Sequence, residues 1–154
     1  MTEKSFEAKV DNLHLVLEFL ESELESHECS MKISTALAIA IEELFVNVAS
    51  YSYPDSKGDC TLKLDFDGDD CIITLVDNGI PFDPVAKADP DITLSAEERE
   101  IGGLGILMVK KTMDDMKYER KDDQNILVMR KKIKWWINCL IKQLYTQLKL
   151  IRLK

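Results

Sequence analysis

The apolar positions of this 154-residue chain follow helical spacing in some stretches and strand-like alternation in others. Leucines at helical spacing predict a first amphipathic helix: Leu13, Leu17, Leu20 and Leu24. Four glutamates occupy its predicted solvated face: Glu18, Glu21, Glu25 and Glu28. Ser30 is a predicted N-cap for a second helix that continues to about Tyr51. Because this helix is apolar nearly all round, Ile39 included, we expect it to lie deep against a sheet.

Alternating apolar positions predict two hairpins and one further strand. Residues 61–66 alternate with their leucines inward, and 71–76 return after a tight turn as a more buried strand. A closing hairpin is predicted from 116–120 and 126–130, and residues 3–8 form a short first strand. Paired neighbouring strands of this kind favour a sheet that is mostly antiparallel.

The remaining stretches complete the predicted architecture. Residues 80–100 carry three prolines and six acidic residues without a period, which indicates a long loop of the kind that forms lids. Glycines at 102, 103 and 105 open a predicted third helix that ends near 115. The order of elements predicts an α+β fold, a two-layer α/β sandwich with a mixed, mostly antiparallel sheet and helices on one face. We assign 1–132 to this domain and 133–154 to a basic C-terminal helix or tail.

Charge is distributed unevenly along the chain. The composition, 45% hydrophobic and 31% charged, is that of one ordinary globular domain. The net charge is −8, yet Asp123 is the last acidic residue and 124–154 carry eight bases. The body is therefore acidic, which argues against direct binding of nucleic acid through a broad basic surface.

Cysteine usage and the N-terminal sequence favour a cytoplasmic protein. Four cysteines, Cys29, Cys60, Cys71 and Cys139, form no Cys-x-x-Cys pair and have no histidine cluster near them, so we expect no zinc site. The hairpin register places Cys60 opposite roughly Asp77 and Cys71 opposite roughly Phe66, which keeps these two thiols apart and reduced. No signal peptide follows Met1, and we expect no membrane-spanning run.

Two polar residues on the second helix are candidates for chemistry. Glu43 and Asn47 are four residues apart and therefore share one helical face, which Ala36 and Ala40 continue with small side chains. A buried helix does not carry such groups without partners, because unpaired burial is costly. Asn47 could offer its oxygen to Mg²⁺, and Glu43 could accept a proton from a hydroxyl or water. Alternatively, Glu43 faces solvent and Asn47 binds a loop.

Two glycine-containing stretches follow in chain order. Asp77 and Gly79 come directly after a buried strand, where they form either an ordinary turn or a site. In a site, Asp77 would accept from an exocyclic amine such as that of adenine, and Gly79 would let a flat ring approach. Gly103 and Gly105 expose N–H groups at a helix start, which suits phosphate. Two lysines, Lys110 and Lys111, suit the helix C-terminus structurally.

Taken together, these stretches resemble the nucleotide-binding boxes of one ATPase family. Glu42-Glu43-Leu-Phe-Val-Asn47, Asp77-Asn-Gly79-Ile-Pro-Phe-Asp-Pro and Gly103-Leu104-Gly105 are similar to the N, G1 and G2 boxes of the GHKL ATPases. Within that family, the short chain and the G1 run resemble the bacterial anti-sigma factor and serine protein kinase branch. The resemblance covers about residues 3–131 and implies a Bergerat-type ATP-binding fold.

The resemblance also implies roles for individual residues. Asn47 would be the Mg²⁺ ligand, and Glu43 would be the general base that accepts the proton of a substrate serine. Asp77 would contact the adenine amine with Gly79 beside the base. Gly103 and Gly105 would fold the lid over the ATP phosphates, and Leu104 between them would also belong to the ATP-binding residues.

At the level of the whole protein, the resemblance implies ATP-dependent phosphorylation of a serine on a small antagonist protein. It also implies binding of a sigma factor through an overlapping surface, and a homodimer. One departure is Tyr51, which stands where the family commonly has a histidine one turn after Asn47. The other departure is the C-terminal extension.

That extension carries its own helical pattern. One stripe is apolar, Ile137, Leu140, Leu144, Leu148 and Ile151, and the opposite one is polar, Asn138, Lys142, Thr146 and Lys149. Trp135 and Trp136 precede both stripes. The pattern is compatible with a helix packed on its own domain or on a second copy. It is also compatible with weak attachment to a membrane surface, or with an extension peculiar to this chain.

Three functions compete. The first is an anti-sigma serine/threonine protein kinase that uses ATP and Mg²⁺, and the presence of Glu43 favours it. The second is a nucleotide-binding module that sequesters a protein partner without kinase activity. A detached histidine-kinase catalytic domain is disfavoured, because no dimerising phosphoacceptor segment is present. Two histidines, His14 and His27, lie on or beside the first helix as surface or rim residues.

Overall fold

The fold consists of an antiparallel sheet with helices on one face. The computed structural model describes residues 1–86, 88 and 103–133. Within them, the strands are β1 (Thr2–Glu7), β2 (Asp59–Asp67), β3 (Asp70–Asp77), β4 (Asp115–Lys121) and β5 (Gln124–Lys132). The helices are α1 (Leu13–Ser26), α2 (Met31–Asn47) and α3 (Gly103–Thr112), with a 3₁₀ turn at Val10–Asn12 and a π-helical turn at Val48–Ser52.

Strand order in the sheet is β1-β2-β3-β5-β4, which places β3 at the centre. All four described strand pairs are antiparallel, so the predicted two-layer α+β fold with a mostly antiparallel sheet is confirmed. Cys60 pairs with Asp77 and Cys71 with Phe66, as the hairpin pattern predicts. Both thiols are free and buried.

The core lies between the inner face of the sheet and the three helices. Inward side chains of β2, β3 and β5 are buried against it: Leu62, Leu64, Ile73, Leu75, Leu127 and Met129. From the helical layer, the core receives Val16, Leu20, Leu24, Leu37, Ile41, Phe45 and Val109. Burial of this apolar surface is the main favourable contribution to folding.

The first helix forms where its leucines predict it. Its fully buried stripe is Val16, Leu20 and Leu24, and the four glutamates of the predicted solvated face are exposed. At its C-terminal end, the His27 ring stacks on Phe66 of β2 with ring centroids 3.5 Å apart. This contact joins the end of α1 to the end of β2.

The second helix departs from prediction in two respects. Ser30 caps it by accepting from the Ile33 N–H at 3.4 Å, as predicted. Its outer face is nevertheless open, since Met31 is 85% and Ile39 42% exposed, so the expectation of burial all round is wrong. Met31–Ser52 is also long and apolar enough to cross a membrane, contrary to the expectation that no segment approaches this. Because its inner face packs on the sheet, its composition also suits a core helix.

Several sequence predictions fall outside the described residues. The proposed lid is described only at 80–86 and 88, and the tail lies beyond Ile133 together with Cys139. The third helix begins at Gly103, as predicted, and Gly102 is outside the described part. Among the described residues, no group of three metal-ligating side chains forms.

Candidate functional site

A pocket of about 340 Å³ lies between α2, α3 and the inner face of the sheet. This volume falls within the range of pockets that hold small molecules. Its lining comes from α2 and the turn after it (Leu44, Asn47, Val48, Tyr51, Ser52), β3 (Leu75, Asp77), the following loop (Ile80, Pro81, Phe82, Pro84), α3 (Ile106) and the last hairpin (Tyr118, Asn125, Leu127). The stretches singled out in the sequence therefore meet at one cavity.

Asp77 is the buried polar group at the end of β3. Its side chain is only 6% exposed, and its Oδ1 accepts from the Gly79 N–H and from Asn125 Nδ2, each at 2.9 Å. Within the described chain, both side-chain hydrogen bonds of this carboxylate end on Oδ1. Its Oδ2 therefore remains available to a donor in the pocket.

Asn125 of β5 holds this carboxylate in place, and sequence reasoning missed it. Its Nδ2 donates to Asp77 and to the Ile80 carbonyl at 3.0 Å, while its Oδ1 accepts from the Tyr118 hydroxyl at 2.8 Å and the Phe82 N–H at 3.4 Å. Every side-chain atom that can form a hydrogen bond is thus used. The available signal was an amide directly before the predicted strand 126–130, in the same alternation as Leu127 and Met129.

The loop after β3 is fixed against the end of α2. A Cβ at Gly79 would lie 2.5 Å from the Ser52 carbonyl oxygen and 2.9 Å from Asp77 Oδ1, so the close approach requires glycine. Ile80 N–H donates to the Ser52 carbonyl at 2.9 Å, and Arg120 Nη1 donates to the Gly79 carbonyl at 2.9 Å. The π-helical turn and β4 therefore both position this loop.

Tyr53 supports the same loop from the other side. Its hydroxyl accepts from the Asn78 N–H at 2.9 Å and donates to the Asp59 carbonyl at 2.8 Å. Partial burial of the ring raises the pKa of Tyr53, so the hydroxyl keeps the proton that it donates. The strand end that carries Asp77 is thus braced on both flanks.

Glu43 and Asn47 lie one helical turn apart on α2, at the side of the pocket near α3. Asn47 is half-buried and lines the pocket. Glu43 lies against α3, where a Cβ at Gly105 would be 2.8 Å from its Cδ. Among the described residues, neither side chain has a hydrogen bond or ion pair to another group. Both are therefore free to engage a ligand.

The structure does not bring every predicted site residue to the cavity wall. Glu43, Gly79 and Gly105 flank the pocket rather than line it, and the Leu104 side chain is 49% exposed. Tyr51, which departs from the resembled pattern, lines the pocket and is 66% exposed at its mouth.

Comparison with known proteins gives consistent matches. Residues 6–131 match the histidine kinase-like ATPase domain. The chain is 24% identical to the serine/threonine-protein kinase BtrW of Bordetella bronchiseptica over 65% of this chain and 71% of that protein. It is 28% identical to the serine-protein kinase RsbW of Bacillus cereus over 61% of each chain. It is 23% identical to the anti-sigma F factor of Clostridium kluyveri, over 64% of this chain and 70% of that protein.

Among solved structures, the fold is similar to that of the RsbU and RsbW domains of a Mycobacterium tuberculosis protein. The TM-score is 0.57 at 12% sequence identity, over 86% of this chain and 33% of that one. At this identity the similarity concerns the fold alone. The chain thus spans about 61% of the length of RsbW and a third of this structural neighbour.

Proposed function

The chain belongs to the histidine kinase-like ATPase domain family, and we propose that it is an anti-sigma regulatory protein with ATP-dependent serine/threonine kinase activity. Its substrate would be a serine on a small antagonist protein. The observation that carries the proposal is that three acceptors without a partner among the described residues lie in or beside one cavity: Asp77 Oδ2, the Asn47 amide oxygen and the Glu43 carboxylate. The names of the similar proteins suggest the activity, and the geometry supports the choice of residues.

The wall of the pocket suits a purine. Its apolar surfaces come from Leu75, Ile106 and Leu127. A planar base between them would remove its two faces from contact with water. Its exocyclic amine would donate to Asp77 Oδ2. Because Asn125 and Gly79 already occupy Oδ1, the carboxylate presents one acceptor in one direction. This arrangement favours adenine, whose amine is a donor, over guanine, whose carbonyl at the same ring position is an acceptor.

Asn47 fits the position of a magnesium ligand. It is a hard oxygen donor on the pocket wall, and one protein ligand is compatible with an ion that keeps several waters and binds phosphate oxygens. When bound there, Mg²⁺ would neutralise charge on the transferred phosphoryl group. The N-terminus of α3, at Gly103, would face the same phosphates with free backbone N–H groups.

Glu43 is the candidate general base. As the substrate serine oxygen forms its bond to the γ-phosphorus of ATP and the bond from that phosphorus to ADP breaks, the serine proton would pass to the Glu43 carboxylate. The side chain can do this because it is half-buried, has no protein partner among the described residues, and lies one turn from Asn47. Gly105 leaves the room that the carboxylate occupies.

The partners follow from the same proposal. A sigma factor and the serine-bearing antagonist would bind near the pocket, and the protein would act in the cytoplasm as a homodimer. The naming of one similar protein as an anti-sigma F factor and of others as serine kinases supports the two protein partners.

The decisive experiment replaces Glu43 and uses its neighbour as the control. Glu43→Ala should lower phosphate transfer to the antagonist by about 100-fold or more, because a general base contributes at least that much. ATP affinity should be unchanged, since Glu43 flanks the cavity without lining it. Glu42→Ala removes an exposed carboxylate from the same helix and should retain full activity.

Two results would redirect the proposal. Undiminished transfer by Glu43→Ala would remove the role of that residue. If the unmodified protein binds ATP and its partner without any transfer, the chain is a nucleotide-dependent sequestering module instead. Labelled ATP and a serine-bearing candidate partner distinguish these results in one assay.

A further inference from the structure

The outer face of the sheet carries an apolar band that no described element covers. All three helices pack on the inner face, and the outward positions of the two central strands are mostly β-branched. We define the outer band as Ile72 and Val76 of β3 with Ile126 and Val128 of β5. Val76 lies directly opposite Ile126 in the strand register. Val128 is 36% exposed and the other three are partly exposed.

Polar pairs surround this band on the neighbouring strands. On one side, Ser5 and Thr61 share a hydrogen bond of 2.6 Å, and Lys63 pairs with Glu3 at 2.8 Å. On the other side, β4 presents Lys117 opposite Val128 and Glu119 opposite Ile126. An apolar centre inside a polar rim is the anatomy of a contact surface, whereas a solvated sheet face is usually polar throughout.

The chain leaves the described fold at one end of this band. β5 contributes half of the band and ends at Lys132, and the Ile133 N–H donates to the Asp69 carbonyl at 2.8 Å. Ile133 itself is 1% exposed, so the start of the C-terminal segment is anchored beside the β2–β3 turn. A segment tethered there reaches the outer band at high effective concentration.

The sequence of that segment suits the band in length and polarity, and its charge is opposite to that of residues 1–123. A helix over 137–151 would be about 22 Å long, and the nine residues of β5 span about 30 Å. Its predicted stripe supplies isoleucine and leucine, which suit a β-branched surface. Residues 134–154 hold five bases and no acid, whereas 1–123 hold all 28 acidic residues and only 12 bases.

We propose that residues 134–154 dock on the outer band of their own sheet. The apolar stripe would cover Val76, Ile126 and Val128, and the basic side chains would lie near Glu3 and Glu119 of the polar rim. The inner face cannot take this segment, because the three helices already cover it. The contact would convert the two-layer domain into a three-layer one.

Tryptophan fluorescence tests this in the full-length protein. The sequence has two tryptophans, Trp135 and Trp136, so the emission reports the segment alone. Val128→Lys should shift the emission maximum to the position measured in denaturant and should increase quenching by acrylamide. Ile39→Lys is the matched control, because it places the same charge at a 42% exposed position of the opposite layer, and its emission should not change.

The fold of each variant is checked by thermal unfolding. If Val128→Lys does not fold, Val128→Thr keeps the β-branched shape while it adds a hydroxyl, and a smaller shift in the same direction is expected. Unchanged emission in a folded Val128 variant would overturn the proposal.

Two other results would also overturn it. A dimer that Val128→Lys dissociates, and that persists when 134–154 are deleted, would assign the band to a second copy. Light scattering measures the molar mass and therefore shows whether a dimer is present. If anionic phosphatidylglycerol vesicles shift the emission while Val128→Lys has no effect in their absence, the segment binds membranes instead.

Discussion

At the scale of single residues, what Asp77 can bind depends on which of its two carboxylate oxygens already accepts hydrogen bonds. Gly79 and Asn125 both donate to Oδ1, which fixes the plane of the carboxylate and directs Oδ2 to the pocket. The direction of a hydrogen bond, rather than the charge alone, therefore determines what the pocket accepts. A residue of the same shape with a donor at Oδ2 should reverse that preference.

Asp77→Asn makes this change. The amide oxygen can still accept from Asn125 and Gly79, but the amide NH₂ then meets the amine of adenine, donor against donor. We expect ATP affinity to fall by about 10- to 150-fold, the equivalent of about 1.5–3 kcal/mol for one charge-assisted contact. Titration calorimetry measures the ATP affinity of both proteins. Asp83→Asn is the control, because Asp83 binds the Val85 and Ala86 N–H groups away from the pocket, and its affinity should match that of the unmodified protein.

Gly105 is a second residue whose role depends on a close approach, in this case that of the Glu43 side chain. A Cβ there would overlap the far end of the Glu43 side chain, which can move at little cost. Gly105→Ala should therefore keep or raise the free energy of unfolding, by up to about 1 kcal/mol from helix propensity, and yet displace the candidate base. We expect phosphate transfer to fall as it does in Glu43→Ala, and the double variant to lose nothing further. A fully active Gly105→Ala would show that the two side chains do not compete for space.

Much of the site could be predicted at this scale, because local rules place it. The four-residue spacing puts Glu43 and Asn47 on one helical face, and alternation puts Asp77 at the end of a buried strand, whereas the resemblance grouped these residues into one site. Asn125 could not be found in this way, since its role depends on a pairing with β3 across 48 positions of sequence. Single-sequence periodicity carries no information on which strands become neighbours.

At the scale of elements, α2 combines a core face with a functional face. Its inner side buries Leu37, Ile41 and Phe45, and its last turn presents Asn47. The helix then continues as a π-helical turn to Ser52, whose carbonyl accepts from the Ile80 N–H. The sequence predicted that this helix continues to about Tyr51, close to the end of the π-helical turn at Ser52, but it did not predict the change of winding.

Strand β5 reaches the pocket through one amide, which makes a strand-level prediction possible. Asn125→Ala leaves the Ile80 carbonyl and the Tyr118 hydroxyl without their partner inside the fold. We expect the free energy of unfolding to fall by about 1–3 kcal/mol, with ATP affinity lowered as Asp77 loses its support. Urea unfolding measures the first effect. Gln124→Ala removes the neighbouring amide, whose single bond to Asn78 is exposed, and should change stability far less.

At the scale of the whole molecule, the two buried thiols report on global unfolding. Burial raises the pKa of Cys71 to about 12 and raises that of Cys60 further, so both remain protonated and shielded in the folded protein. In a Cys139→Ser background at pH 8, a thiol reagent should modify them only at the rate of unfolding. Cys29, half-buried at the end of α1, should react earlier. Rapid modification of all three without denaturant would contradict this packing.

The raised pKa of a buried thiol also makes the stability of the fold depend on pH. An unfolded thiol releases its proton near pH 9.0, whereas folded Cys71 keeps its proton until about pH 12. The unfolded state therefore binds fewer protons across this window, and the free energy of unfolding falls as the pH rises through it.

The overall fold was the most predictable level, since the order of helices and hairpins restricts an antiparallel two-layer sheet to few arrangements. What the pattern could not supply was the strand order, in which the last hairpin adds to β3 through its final strand.

That strand order has a consequence for biosynthesis. β5 lies between β3 and β4, so a nascent chain still on the ribosome has no neighbour for the free side of β3 until β5 emerges. Until then Asp77 lacks Asn125, and the cavity has only part of its wall. The complete wall of the cavity thus forms only after β5 has been synthesised, and a chain interrupted before Asn125 lacks the amide that holds Asp77 in place.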